Sequence, residues 1–234
     1  MLENLPLILT TLVAGLPSTV LATVGGIALT VVLSFAAGLA LAARWPAVRA
    51  VSRVYVEFFR GTSEVVQLFW IFFVLPALVG FQIVPLAAGI LVLGLNHGAY
   101  GAEIVRGAIR AVPRAQYEAS AALSLSPLDR TVRVILPQAV VEMLPPFTNL
   151  FIQLLKSTAL LSLVVVDEVV RHGELLVPNL GVGEKLTIYL VELLLFLGLA
   201  LLITAGMRWL ERRGAAMLGR ASSASGRSPF GTAL

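Results

Sequence analysis

Long apolar runs alternate with short arginine-bearing segments along this chain. A bilayer core of about 30 Å is crossed by roughly 20 apolar helical residues. Five stretches approach that length. The first, Ser18 to Ala43, carries no charge before its end. The second, Ser63 to Leu78, is short and has Glu64 near one end. The third, Val84 to Ala102, is interrupted by Asn96 and His97. The fourth, Val140 to Val166, contains Glu142 and Lys156, and the fifth, Leu186 to Met207, contains Glu192. Residues 5–17, between Pro6 and Pro17, are too short to cross alone and predict a short interfacial helix. The pattern predicts an all-α integral membrane protein of five transmembrane helices, with residues 1–213 as one transmembrane domain. Residues 214–234, rich in Ser, Gly and Ala, predict a disordered tail.

Charge gives these spans a direction. Fourteen of the 17 Lys and Arg residues fall in three alternate segments. Arg44, Arg49, Arg53 and Arg60 follow span one; Arg106, Arg110, Arg114, Arg130 and Arg133 follow span three; Arg208, Arg212, Arg213, Arg220 and Arg227 follow span five. Basic loops stay in the cytoplasm, so the N-terminus is expected outside and the C-terminus inside. Residues 76–85 are uncharged, and residues 167–185 form an acidic outer loop with Asp167, Glu168, Glu174 and Glu184 against Arg171 and Lys185.

Composition then narrows the function classes. The 234 residues are 58% hydrophobic and 13% charged, with no Cys, whereas soluble domains carry about 25% charged residues. The formal charge of +4 does not indicate nucleic-acid binding, because the basic residues lie between apolar spans. No disulfide framework or zinc-thiolate site exists. No basic n-region of a cleavable signal precedes the first span. GxxxxGK[ST] does not occur, so the chain has no nucleotide site and is not itself an ATPase.

The segment from Glu103 to Pro137 carries the most information. Its centre, Gln116 to Leu125, is Ala-rich and helix-compatible, with a stop at Ser126-Pro127. Ser126 can cap a second helix, Leu128 to Val134, that Pro137 ends. Two short helices and a turn form a knob suited to a cleft on a cytoplasmic partner. Glu118-Ala119-Ser120, Ser124 and Val134-Ile135-Leu136-Pro137 resemble the EAA motif of ABC importer permeases. Gly98 to Glu103, Arg106-Gly107, Ala111-Val112-Pro113, Gln116 to Ala119, Leu136 to Ala139, Pro145-Pro146 with Asn149, Leu155 to Thr158, and Phe59 to Thr62 with Gln67-Leu68-Phe69 resemble the polar amino-acid branch of that family. Phe58 to Ser63 through Leu68-Phe69-Trp70, with Met207 to Arg212, is similar to permeases for ectoine and hydroxyectoine.

The resemblance implies a type I permease fold, a coupling helix seated in a groove of a separate ATPase, and docking residues Gln116, Glu118, Ala119, Ser120, Leu123, Ser124, Pro127, Leu136 and Pro137. It also implies a second permease subunit, two ATPase subunits binding ATP and Mg, an extracytoplasmic solute-binding protein, and the bacterial inner membrane as location. Ser124 stands where the motif usually has Gly. Either the turn is right-handed there, or Ser124 tolerates a left-handed conformation disfavoured by roughly 1 kcal/mol.

Ionisable groups inside spans are costly and face bundle interiors or cavities. Asn149, Gln153 and Lys156 share a helical stripe, with Ser157 beside them; Asn96, His97, Tyr100 and Glu103 make another. With Gln67 they are the candidate lining of a solute pathway, the competing reading being helix packing through polar side chains. Arg60 can pair with Glu64 at i,i+4 if helical. Glu142 and Glu64 lie near span ends, where snorkelling serves, and Glu192 suits either a helix–helix contact or a functional role. His97 has no partner His, which argues against a metal site, and it reads as structural. A self-contained secondary transporter or channel is the alternative class; it needs charge pairs deep in the spans and an ion gradient. A purely structural scaffold needs no polar stripe.

Overall fold

The computed structural model describes residues 4–180 and 182–217, and every regular element among them is helical. We number the helices α1 (Leu5–Ala14), α2 (Leu16–Leu41), α3 (Pro46–Gly61), α4 (Glu64–Val79), α5 (Pro85–Ala111), α6 (Arg114–Ala122), α7 (Pro127–Val164), α8 (Val169–Leu180) and α9 (Lys185–Met217). Among the described residues, three stretches are long and apolar enough to cross a membrane, Leu5–Leu41, Pro127–Val164 and Lys185–Ala216, and α3 with α4 makes a fourth if that pair, bent by 105°, counts as one span. α5 has 27 residues, but Asn96, His97 and Tyr100 interrupt its apolar run and it is not among them.

Several boundaries differ from the sequence expectation. Residues 5–14 do not lie apart as an interfacial helix. α1 runs on into α2, and Ile8 and Leu12 pack with Val169, Leu176, Ile188 and Val191 of α8 and α9. α3, an amphipathic helix, occupies what the charge pattern left as a loop. α8 forms within the acidic segment. α9 extends to Met217, so residues 214–217 are helical; the rest of the expected tail, 218–234, lies outside the described residues.

Pro137 does not end a helix. The chain is helical from Pro127 to Val164 because a π turn, Arg130–Ile135, precedes the proline, and the Leu136 N–H donates to the Thr131 carbonyl five residues back. Proline lacks an N–H and clashes with the carbonyl four residues before it; the wider π turn removes both demands. Pro76 in α4 repeats the device: π turn Trp70–Val74 precedes it, and the Leu75 N–H donates to the Trp70 carbonyl. α7 then tightens into a 3₁₀ segment over Thr158–Val164.

α2 lies along α5 at close range. A Cβ at Gly94 would collide with Leu29, and one at Gly101 with the Ser34 hydroxyl. Small residues at such crossings replace the hydrophobic drive that helices lack in lipid with van der Waals contact. Val105, Ile109, Ile135, Met143 and Phe147 form one core between α5 and α7; Leu68, Val92, Leu93, Leu154 and Leu161 form a second.

Candidate functional site

Two places bring the chemistry-bearing residues together. The first is the hairpin of α6 and the start of α7. α6 ends in a Schellman arrangement: the Leu125 N–H donates to the Ser120 carbonyl at 3.1 Å and the Ser124 N–H to the Ala121 carbonyl at 2.9 Å. This closure needs a left-handed residue, and Ser124 supplies it at φ 56°. Of the two geometries open to the sequence, the left-handed one is realised. Ser126 then caps α7, accepting from the Asp129 N–H at 3.1 Å while its hydroxyl donates to Asp129 Oδ2 at 2.6 Å.

The hairpin has an inner and an outer side. Inside, Ser120 is buried and donates to the Tyr117 carbonyl at 2.8 Å, and the Tyr117 hydroxyl donates to the Ile109 carbonyl at 3.0 Å. Outside, Gln116, Glu118, Ala119 and Pro127 are exposed, with Leu123 75% and Leu128 74% exposed. Leu136 is half-buried and Pro137 exposed on the continuing helix.

The second place is an open cavity of ≈ 420 Å³ between α5 and α7, lined by Arg60, Tyr100, Glu103, Pro146, Asn149 and Gln153 among others. The two polar stripes therefore meet in part. The Arg60 guanidinium sits over the Tyr100 ring, 5.1 Å from its centroid. Arg106 Nε donates to Glu103 Oε2 at 2.9 Å. The cavity thus holds a cation, a carboxylate and two amides around one volume.

The other stripe residues go elsewhere. Gln67 and Asn96 are buried and pin the α3–α4 corner to α5. Gln67 Nε2 donates to the Thr62 hydroxyl at 2.7 Å and the Phe59 carbonyl at 3.0 Å; Asn96 Nδ2 donates to the same carbonyl at 3.0 Å and to Gln67 Oε1 at 3.2 Å. Ser157 donates to Glu64 Oε2 at 2.9 Å. Lys156 lines a different, mostly apolar cavity of ≈ 740 Å³ with Tyr189 and Glu192. Glu192 is buried against Gly173, its Oε1 without a hydrogen-bond partner among the described residues.

The expected Arg60–Glu64 pair does not form. The chain bends between α3 and α4, so the two residues share no helix, and i,i+4 spacing has no meaning across the corner. Glu64 turns inward instead, its Oε1 3.4 Å from His97 Nδ1, which also lies 3.1 Å from the Leu93 carbonyl. Arg60 as a cavity residue and Glu64 as the partner of His97 were both missed. The signal was the Gly61-Thr62-Ser63 break.

Outside the spans, Glu168 is fully buried and accepts from the N–H groups of Val170 at 2.9 Å and Arg171 at 2.7 Å at the start of α8. Burial pushes its carboxyl up from 4.5 to about 7, against the pull of those two hydrogen bonds.

Residues 33–215 match the family described as "Binding-protein-dependent transport system inner membrane component". The chain belongs to that family. It is 45% identical over 185 residues, 77% of each chain, to a probable amino-acid ABC transporter permease protein, y4tF, of Sinorhizobium fredii. It is 35% identical over 203 residues, 86% of this chain and 92% of the relative, to the glutamine transport system permease protein GlnP of Escherichia coli. It is 36% identical over 200 residues, 81% and 85% of the two chains, to the L-cystine transport system permease protein TcyB of Bacillus subtilis. Its fold is shared with a chain of a crystallised amino acid ABC transporter (TM-score 0.74, 28% identity, 91% and 96% covered). It is shared also with a chain of the inward-facing MetNI methionine ABC transporter (TM-score 0.73, 22% identity, 92% and 99% covered).

Proposed function

We propose that this chain is the membrane-spanning permease subunit of an ABC importer for amino acids or similar small zwitterions. The observation that carries the reading is the α6–α7 hairpin, which holds Glu118, Leu123 and Leu128 outward on a braced turn. Such a knob suits a groove on an ATPase that supplies ATP and Mg chemistry this chain lacks. Two permease subunits would frame the route and an extracytoplasmic binding protein would deliver solute near residues 167–185. The arginine distribution supports five spans in a bacterial inner membrane with the N-terminus outside. ATP-driven closure of the ATPase pair would draw two hairpins together and rock the spans between inward-open and outward-open states.

The cavity supports the solute class. Arg60 suits a carboxylate, and Glu103 an ammonium, with Asn149 and Gln153 to orient the backbone of the solute. The Phe58 to Trp70 resemblance extends the candidates to ectoine and hydroxyectoine, which carry the same pair of charges. A membrane-vesicle preparation of the assembled transporter tests the function. Glu118→Lys should abolish co-purification of the ATPase and ATP-dependent uptake, and retention of both would overturn the reading.

A further inference from the structure

α3 presents two chemically different sides. Val51, Val54 and Phe58 are exposed along one, and Trp45 stands exposed just before its start. Arg49 and Arg53 project from the other, at i,i+4 spacing. An amphipathic helix of this kind, with an aromatic residue at its end, lies where apolar and aqueous phases meet.

Arg49 and Arg53 share a cavity of ≈ 740 Å³ with Arg110 from the end of α5. Leu39 and Leu41, at the end of α2, form an apolar wall, and Tyr117 of α6 and Ile135 of α7 close the far side. Among the described residues no carboxylate lines the cavity, and no ion pair engages any of the three arginines. Three guanidiniums around one volume repel one another unless an anion lies between them, and guanidinium geometry suits phosphate oxygens.

We propose that α3, the end of α2 and the end of α5 form a binding site for the phosphodiester headgroup of an anionic phospholipid. Arg49, Arg53 and Arg110 hold the phosphate oxygens, and an acyl chain runs along Leu39 and Leu41. A free phosphate shares the headgroup's chemistry. It would leave the apolar wall of Leu39 and Leu41 uncovered, whereas an acyl chain covers it. Basic pockets beside the ends of transmembrane helices are suited to such headgroups. Because Tyr117 forms part of the wall, an occupied site also braces α6 from its inner side.

The test is lipid retention by the delipidated full-length chain, read by native mass spectrometry during titration with phosphatidylglycerol or phosphatidylcholine. Phosphatidylglycerol should be retained in preference, and each of Arg49→Gln, Arg53→Gln and Arg110→Gln should weaken it by about fivefold. The triple arginine-to-lysine variant keeps the charge and should keep most of the binding, which separates loss of the site from loss of the fold. Arg208→Gln, at a residue that does not line the cavity, should bind as the parent chain. Equal retention of the two lipids, or undiminished binding by the triple Gln variant, would overturn the proposal. Full displacement of phosphatidylglycerol by equimolar inorganic phosphate would overturn the lipid as occupant.

Discussion

The Tyr117 hydroxyl on α6 donates to the Ile109 carbonyl near the end of α5 at 3.0 Å. This single bond ties the exposed hairpin to a helix whose other residues, Tyr100 and Glu103, line the candidate solute cavity. The hairpin is thus anchored to the same continuous helix, Pro85–Ala111, that lines the cavity. Tyr117→Phe removes about 1 kcal/mol of anchoring. Amide exchange in residues 114–122 should rise severalfold, and uptake per ATP hydrolysed should fall with ATPase binding retained. Unchanged exchange would show that the bond does not brace α6.

Ser124 holds a left-handed conformation that costs a non-glycine residue about 1 kcal/mol. Ser124→Gly should raise the thermal unfolding midpoint of the purified chain slightly, and Ser124→Val, branched at Cβ, should lower it. The reverse order would mean that the turn is not strained.

Glu64 joins three helices by accepting from Ser157 on α7 and facing His97 on α5. Glu64→Leu leaves the half-buried Ser157 hydroxyl without its acceptor, beside the buried His97, and should cost about 1–3 kcal/mol. Glu64→Gln, which can still accept from Ser157, should cost less. Equal thermal midpoints for the two variants would rule out a role for the carbonyl acceptor.

Tyr100, Asn149 and Gln153 face the ≈ 420 Å³ cavity. Alanine at each should weaken apparent solute affinity by roughly threefold to tenfold, the worth of one hydrogen bond. Lys156→Ala, facing the other cavity, should change it less. If all three cavity variants transport as the parent does, the stripes serve packing alone.

Glu168 has its carboxyl raised from 4.5 to about 7 in the folded chain. Between those values the folded state holds a proton that the unfolded state has released. Its contribution therefore favours the fold below about pH 4.5, declines as pH rises to about 7, and is flat above. Glu168→Gln should remove this slope from the unfolding midpoint measured against pH, and a parent chain without the slope would contradict the burial.

Much of this was legible in residue order. The helical state of the apolar stretches followed from their length, and Ser126 was readable as a cap because capping is decided within four residues. The α6–α7 hairpin followed from Ser126-Pro127 in the same way. The faces of the helices were less readable. A helical stripe is a count at about 100° per residue, and the count fails at the 105° corner after Gly61, which parts Arg60 from Glu64. It also fails across a π turn, where one extra residue shifts the phase and lets Pro137 sit inside a continuous helix. Lys156 shares a stripe with Asn149 and Gln153 by count, yet beyond Gln153 its neighbours are α8 and α9 instead of α5.

By itself, then, the sequence determined what is local: which stretches are apolar and helical, which segments between them are basic, and where the α6–α7 turn begins. Only the tertiary structure decided which polar groups meet. It brought Arg60 to Tyr100, Glu64 to His97, and Arg110 to the cavity that Arg49 and Arg53 line, because those placements depend on helix bends and crossings between residues about 30 to 60 positions apart, which no local period encodes.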